Sequence, residues 1–459
     1  MNAHEARLQQ ALRAYSTGRT VDRQSLEVID IGAIPSASAL TNLGVMWRVA
    51  QQPQKAVDCY RRALACGADG SGVWTNLGNA LKDLKSLRCA CLAHEMAISI
   101  DSASVTAWYN YGITLAAAAQ YPQAIATFRQ ALSLPNGEGL NIEWELARCH
   151  LAMGNYDLGW PLFAARWKIK EHRHPYPHIP AWDGKALIQQ RLLIWTEQGF
   201  GDTIQCLRFL PSVLERQSSG QVVVAIKQEL LALAKSSYPE VQFELPQQVT
   251  DAFDVQASLL DLPGFFCNSA DAIPQASGYL RPTQQVVQNI SLRTRFPDKV
   301  LVGVVWTGSL TFAGNADRAL PAAELLERLA LPGVQLVSLQ KGSATDESAL
   351  FRRYQVLDVA PSLSNFNDTA QLIKQLDLVI MTDSSVAHLC GALGVPVWVL
   401  VPKPTHWLWM TDTTHSPWYD SMRLFRQSSI GYWNDPLDAV SAELHQLLNK
   451  HPGASVPTR

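Results

Sequence analysis

From Ala37 onward the apolar residues fall at helical spacing, and the whole pattern then recurs as a block. Leu40, Leu43, Gly44 and Trp47 stand at i, i+3, i+4 and i+7, one face of a helix, and Ala56, Tyr60 and Ala63 mark a face on its partner. The block returns as Trp74, Leu77, Gly78 and Leu81 followed by Ala90 and Ala97, and again as Trp108, Tyr111, Gly112 and Leu115 followed by Ala124, Phe128 and Ala131. Gly44, Gly78 and Gly112 are 34 residues apart, and the same step relates Asn42, Asn76 and Asn110. Glycine and alanine at fixed places in paired helices mark close helix crossings. A worn fourth unit runs from Trp144 to about Trp167, with Leu146 and Ala147 where Leu-Gly would stand. Such a unit suits a cap, or a surface that docks on the next domain.

A 34-residue period of this build is the pattern of tetratricopeptide (TPR) repeats, stacked helix–turn–helix units. Residues 37–170 are therefore expected to form a TPR superhelix, with 1–36 as a helical extension that does not fit the register. Stacking places Asn42, Asn76 and Asn110 in a row along the inner groove. Each amide offers a donor and an acceptor, so an extended peptide can be read there through its main chain. The row resembles the asparagine ladder in the superhelix of protein O-GlcNAc transferases. The alternative is that asparagine at this position serves neighbouring backbone.

Beyond Trp167 the pattern changes. The segment from His172 to Gly184 carries three prolines and cannot continue a helix; 171–189 reads as a linker or an ordered arm. His172, His174 and His178 lie on it without a nearby carboxylate pair, which weighs against a metal site. From Arg191 short apolar runs alternate with helical segments. Strands are expected at 191–195, 221–226, 241–245 and 253–259, then at 301–306, 334–339, 377–382 and 396–401. Helices are expected at 203–214, 228–236, 322–329, 368–375 and 385–394. This alternation predicts parallel, doubly wound α/β sheets in two Rossmann-like halves, 190–285 and 298–430, with a helix and tail at 431–459. Ligands of such sheets sit at the carboxyl ends of the strands.

The loops at those ends hold the candidate chemistry. Gly199 and Gly201 are expected to let backbone approach a ligand, and Asp202 stands at a helix start, either as a general base or as a helix cap. Thr382, Asp383, Ser384 and Ser385 close one strand and open a helix containing His388. Free backbone N–H groups and hydroxyls there suit a pyrophosphate, and His388 either reaches the same anion or packs in the core. Thr307 lies in a second hydroxyl-and-glycine loop, and Arg318 follows as a candidate phosphate clamp or an exposed loop arginine. Gln340 and Lys341 close another strand, within reach of a ribose or base. Trp407, Trp409 and Trp418 either line a pocket or pack a sheet edge.

Composition narrows the field. With 38 basic against 40 acidic side chains among 459 residues, a nucleic-acid surface is not the main business of the chain. Eight cysteines form no Cys-x-x-Cys pair, and the amino terminus lacks the build of a secretory signal, so a cytoplasmic protein without disulfides is expected. No apolar run is long enough to span a bilayer. Neither half carries a P-loop, a G-x-G-x-x-G turn or a G-x-S-x-G elbow, which argues against an ATPase, a dehydrogenase and a serine hydrolase.

Two stretches carry a family resemblance. Residues 199–205 (GFGDTIQ) with 207–211 (LRFLP), and residues 383–397 (DSSVAHLCGALGVPV), are similar to the first loop and the nucleotide-sugar motif of ADP-heptose:lipopolysaccharide heptosyltransferases. The resemblance spans roughly 190–430 and implies a GT-B fold, two facing Rossmann-like domains, with inverting sugar transfer from a nucleoside-diphosphate sugar and no metal or other cofactor. It implies Asp202 as catalytic base. It implies Arg318, Gln340, Asp383, Ser384, Ser385 and His388 around the donor, where the loop reading adds Gly201, Thr307 and Lys341. Ser385 replaces the family's usual glycine, and Gln340 stands where the family has a glutamate. The repeats ahead of this module point to a protein acceptor held at Asn42, Asn76 and Asn110, with a layout like that of protein O-GlcNAc transferases. The rivals are an inactive TPR scaffold or nucleotide sensor, and a lipopolysaccharide heptosyltransferase.

Overall fold

The computed structural model describes residues 3–16, 23–137, 140–169, 173–197, 199–250, 252–274, 278–283, 291–312, 314–342, 346–411 and 413–450. His172, the residues after Lys450 and part of the polar stretch between the two expected halves lie outside them. The chain divides into two compact units, Met1–His150 and Leu151–Arg459, so the division falls inside the expected 37–170 array rather than at its end.

The first unit is a TPR-type array of helical hairpins. Ala37–Val49 pairs with Pro53–Ala65, Ser71–Asp83 with Leu87–Ile100, and Val105–Ala117 with Tyr121–Ser133, and Ile142–Ala152 opens the fourth unit. Each hairpin crosses on a glycine. A Cβ built on Gly44, Gly78 or Gly112 would come within 2.5 Å of a ring carried by the second helix: Tyr60, His94 and Phe128 respectively. No side chain fits there, so the glycine follows from the ring. Ser36 and Ser104 cap their helices through N–H groups at Ala39 and Ala107, and Pro53 and Pro122 occupy the first turns of the partner helices. Arg48 pairs with Asp83 of the next hairpin at 2.5 Å.

The second unit holds two sheets among its described residues. The first contains β1 (Arg191–Trp195), β2 (Gln221–Ala225), β3 (Gln242–Glu244) and β4 (Val255–Ser258), all parallel, in the order β3-β2-β1-β4. The second contains β5 (Val300–Val305), β6 (Val334–Ser338), β7 (Leu357–Asp358), β8 (Leu378–Thr382), β9 (Val397–Val401), β10 (His415–Ser416) and β11 (Tyr419–Arg426), in the order β10-β11-β9-β8-β5-β6-β7. Only the β10–β11 pair is antiparallel. β5, β8 and β9 are buried along their whole length, as strands covered on both faces must be. In each sheet the winding direction reverses once, between β1 and β4 and between β5 and β8. Loops part at such switch points and leave room for a ligand.

The strands expected from apolar runs are present to within a residue or two. β7 and β10 are too short to show a period, and β11 mixes Asp420, Arg423 and Arg426 into its run. The helix expected at 203–214 is broken into Phe200–Cys206, a 3-10 turn at Leu207–Phe209 and Leu210–Leu214, because Pro211 supplies no N–H to a continuous ladder. The 171–189 segment is more than a tether: the Trp182 N–H donates to the Gln256 carbonyl at 2.7 Å and Ala181 bridges the flank of β4. His174 lies between the rings of Trp167 and Trp195, 5.0 Å from each, and His178 is exposed. No three metal-ligating side chains gather among the described residues.

The middle hairpin departs from its neighbours. His94 is 0% exposed, its two ring nitrogens have no hydrogen-bond partner, and burial lowers its pKa to about 4, with Lys82 adding to the effect. The folded state thus binds this proton less readily than the unfolded chain, whose histidine titrates near 6.5. The contribution to stability is intact above about pH 6.5 and is lost progressively as pH falls toward 4, by about 3 kcal/mol in all. His94→Phe, which matches Phe128, should remove that dependence. Thermal unfolding of the full chain at pH 7.5 and 5 should show the wild type losing more melting temperature than the variant.

Candidate functional site

The two switch points lie at the ends of β1, β4, β5 and β8, and most of the expected site residues fall in the loops that follow these strands. The helix Phe200–Cys206 follows β1, and Asp202 sits half-buried in its first turn. Its Oδ2 lies 2.2 Å from where a Cβ on Gly199 would stand, so Gly199 is bare to admit this carboxylate rather than a ligand. Burial, then the charges of Glu197 and Asp383, push the Asp202 carboxyl up to about 6, against the opposing pull of Arg318. The N-cap of this helix is Gly199, so Asp202 is not the capping residue. A half-buried carboxylate whose pKa is raised toward neutrality is equipped to take a proton.

Facing it, the nine-residue helix Ser385–Leu393 follows β8. Its N-cap, Ser384, is 8% exposed, its hydroxyl has no partner, and it makes no capping bond to the helix. The first-turn N–H groups and this hydroxyl therefore remain available to an anion, with Ser385 and Asp383 half-buried beside them. Thr382 donates its hydroxyl to the Arg318 carbonyl and ties the two loops together. The Arg318 guanidinium lies over Gly308, where a Cβ would come within 2.5 Å of Nη2, and over the Phe312 ring at 4.6 Å. It makes no ion pair among the described residues. Asn315 shapes this loop by accepting from the Gly308 N–H at 2.9 Å and donating to the Thr307 hydroxyl at 2.8 Å.

Four of the expected donor residues have other partners in the protein. Gln340, expected near the nucleoside, is engaged by backbone: its Oε1 accepts from the N–H groups of Trp306 and Thr307 at 3.0 and 2.9 Å, and its amide donates to the Lys341 carbonyl. Side-chain amides at strand ends serve such unpaired backbone first. Lys341 is anchored on the Leu363 carbonyl at 2.5 Å. His388 is not a cation at a phosphate: it is 5% exposed, shares a 3.0 Å hydrogen bond with the Tyr419 hydroxyl through Nδ1, and burial lowers its pKa to about 4. Its ring fills the space above Gly201, 2.8 Å from an ideal Cβ position, so Gly201 too is bare for a protein side chain. Of the three tryptophans, Trp409 and Trp418 are buried, and Trp407 meets Trp160 edge to face at 5.5 Å, so all three pack against protein.

Glu197 and Arg166 went unnoticed in the sequence. Arg166 donates to Glu197 through Nη2 at 2.8 Å and to Asp261 at 2.6 Å, and Ser258 donates to the same Glu197 oxygen. Glu197 stands just past an apolar strand, the criterion that singled out Asp202, and so was open to the same reasoning. In the repeat array Asn42 is exposed and Asn76 and Asn110 are half-buried, in equivalent positions of three first helices. Asn110 spends one amide N–H on the Thr106 carbonyl at 2.8 Å.

No family model matches the chain. It is similar to Protein FlbA of Caulobacter vibrioides, 23% identical over 432 residues, 88% of this chain and 72% of that protein. That span exceeds either compact unit. The peroxisomal targeting signal receptor of Eremothecium gossypii is 27% identical over 156 residues, 31% of this chain and 27% of the receptor. Among solved structures, MamA covers 37% of this chain and 96% of its own at 14% identity and a TM-score of 0.31. YrrB, described as a TPR protein with an unusual peptide-binding site, covers 36% of this chain and 86% of its own at 17% identity and a TM-score of 0.30. No helix among the described residues is long and apolar enough to cross a membrane.

The bracket made by Gln340 generates a test. Gln340→Leu leaves two buried N–H groups without their acceptor and should destabilise the protein by about 2–4 kcal/mol, whereas Gln340→Glu, which keeps a carboxyl oxygen there, should cost less. Urea unfolding of the full chain checks the order.

Proposed function

We propose that the chain is a glycosyltransferase of GT-B type that moves a sugar from a nucleoside-diphosphate sugar to a polypeptide held by the TPR array. The observation that carries the reading is the pairing, at the switch points of two Rossmann-type sheets, of a proton-accepting Asp202 with an anion-ready helix start. The acceptor hydroxyl gives its proton to Asp202 as its oxygen attacks the anomeric carbon. The bond from that carbon to the diphosphate breaks on the opposite face, with inversion. The leaving diphosphate takes the first-turn N–H groups and hydroxyls of Ser384 and Ser385, and Arg318 offsets its charge. The asparagines of the repeats hold the acceptor main chain.

A scaffold without turnover is the second reading, favoured by the three carboxylates Glu197, Asp202 and Asp383 against the one guanidinium of Arg318 in their charge environment. One experiment separates the two. A panel of nucleoside diphosphates is screened for thermal stabilisation, and the matching sugar donors for turnover. On the enzymatic reading one base stabilises the protein, and Asp202→Asn lowers kcat by about 10²–10⁴-fold. Because the base acts deprotonated, the rate rises through about pH 6 and levels above it, rather than near the ordinary aspartate value. Equal rates for the two proteins remove Asp202 from the mechanism. No stabilisation and no turnover with any donor leave the scaffold.

A further inference from the structure

The loop after β5 is built around one pair of side chains. A Cβ on Gly308 would stand 2.5 Å from Nη2 of Arg318, and a Cβ on Gly314 would stand 2.7 Å from the Phe312 ring. Each glycine is thus bare where one member of the pair lies. The two members meet, the guanidinium lying over the ring at 4.6 Å. Backbone bonds hold the turn that carries them: the Phe312 N–H donates to the Ser309 carbonyl at 3.1 Å, and the Asn315 N–H donates to the Phe312 carbonyl at 2.9 Å. The Thr382 hydroxyl donates to the Arg318 carbonyl, which sets the arginine backbone beside the strand end that leads into Asp383 and Ser384.

What holds a guanidinium decides what it can still bind. A carboxylate takes its N–H edge, whereas an aromatic ring takes its face. Among the described residues Arg318 has no ion pair, and its hydrogen bond there runs from Nε to Asn315 Oδ1 at a long 3.4 Å. That oxygen already accepts from the Gly308 N–H at 2.9 Å. The N–H groups on Nη1 and Nη2 make no hydrogen bond to a described residue, so most of the donor fork stays open. Burial does not explain the phenylalanine either. Phe312 is 53% exposed and Leu310, in the same turn, is 51% exposed. Half of the ring stays in water, and its neighbour is a cation rather than a core.

We propose that Phe312 is a positioning residue for Arg318: its ring holds the guanidinium by the face and leaves the N–H edge free for the paired phosphates of a nucleoside diphosphate. The inference rests on reading Arg318 as the phosphate clamp, and it names how that clamp is kept oriented without an acid. A carboxylate in the place of the ring would fix the side chain as firmly, but it would occupy the donors that the diphosphate needs.

The test uses the full chain labelled with 15N-arginine, the Arg318 Nε–Hε signal being the one missing from Arg318→Lys. Inorganic pyrophosphate is the binding probe, measured by calorimetry. In the wild type the heteronuclear NOE of that signal should report a rigid side chain. Phe312→Leu keeps an apolar group but removes the ring: the NOE should fall, and pyrophosphate should bind about 2–5-fold more weakly. Phe312→Tyr keeps the ring and should retain both. Leu310→Ala perturbs the same turn but spares the ring, and should change neither. An unchanged NOE in Phe312→Leu overturns the proposal. So does a lowered NOE with unchanged affinity in a protein that binds pyrophosphate, and so does an equal loss in Leu310→Ala. A lowered NOE where the wild type binds no pyrophosphate upholds the hold of the ring and discards the diphosphate reading of the site.

Discussion

The helices that follow β1 and β8 cross where Gly201 has no side chain, and the imidazole of His388 occupies the space a Cβ would need. The Nδ1 bond to Tyr419 fixes the ring from one side and Trp409 packs on it at 5.2 Å. Next to this contact Arg208 is buried at 3% exposure, with no carboxylate paired to it among the described residues. It donates to the Gln205 carbonyl at 3.1 Å and the Tyr279 hydroxyl at 3.4 Å, and lies over the rings of Tyr419 and Tyr279 at 4.7 and 4.9 Å. A desolvated guanidinium without an acid is costly unless ring faces and carbonyls surround it. That cost is met where the two sheets join, so the seam and the crevice beside it are built from the same residues.

Asp202 owes its environment to this seam. The helix that carries it is pinned at Gly201 by His388, and the strand end that precedes it is pinned at Glu197 by Arg166. Between these anchors the turn at Gly199 folds the carboxylate back on its own backbone. A looser turn would let water solvate Asp202 and return its acidity to the ordinary aspartate range.

Much of the architecture was legible because it repeats or runs apolar. The 34-residue step located three hairpins, and the buried strands β5, β8 and β9 announced a sheet covered on both faces. Asp202, Arg318 and Ser384 could be placed beyond the ends of strands without knowing what they touch. What those loops touch was another matter. Gly199 and Gly201 read as openings for a ligand, yet one admits Asp202 and the other His388. Gln340 read as a nucleoside contact, yet the strand end it closes needed an acceptor for two N–H groups. The Arg166 pairs join residues 31 and 95 positions apart, a separation no local pattern reveals.

The worn fourth repeat illustrates the same limit from the opposite side. Its loss of Leu-Gly suggested docking, and its second helix, Tyr156–Phe163, belongs to the unit of the sheets rather than to the array. Trp160 meets Trp407 at 5.5 Å and Tyr156 meets Trp418 at 6.0 Å, both on the second sheet's side. A few residues on, Arg166 reaches Glu197 and Asp261 at the ends of β1 and β4. One short segment therefore grips both sheets, by aromatic packing on one and by a buried ion cluster on the other. The segment keeps one small residue of a repeat crossing, Gly159, where a Cβ would come within 2.7 Å of Leu151, and its next residue, Trp160, with Arg166 beyond, serves the brace.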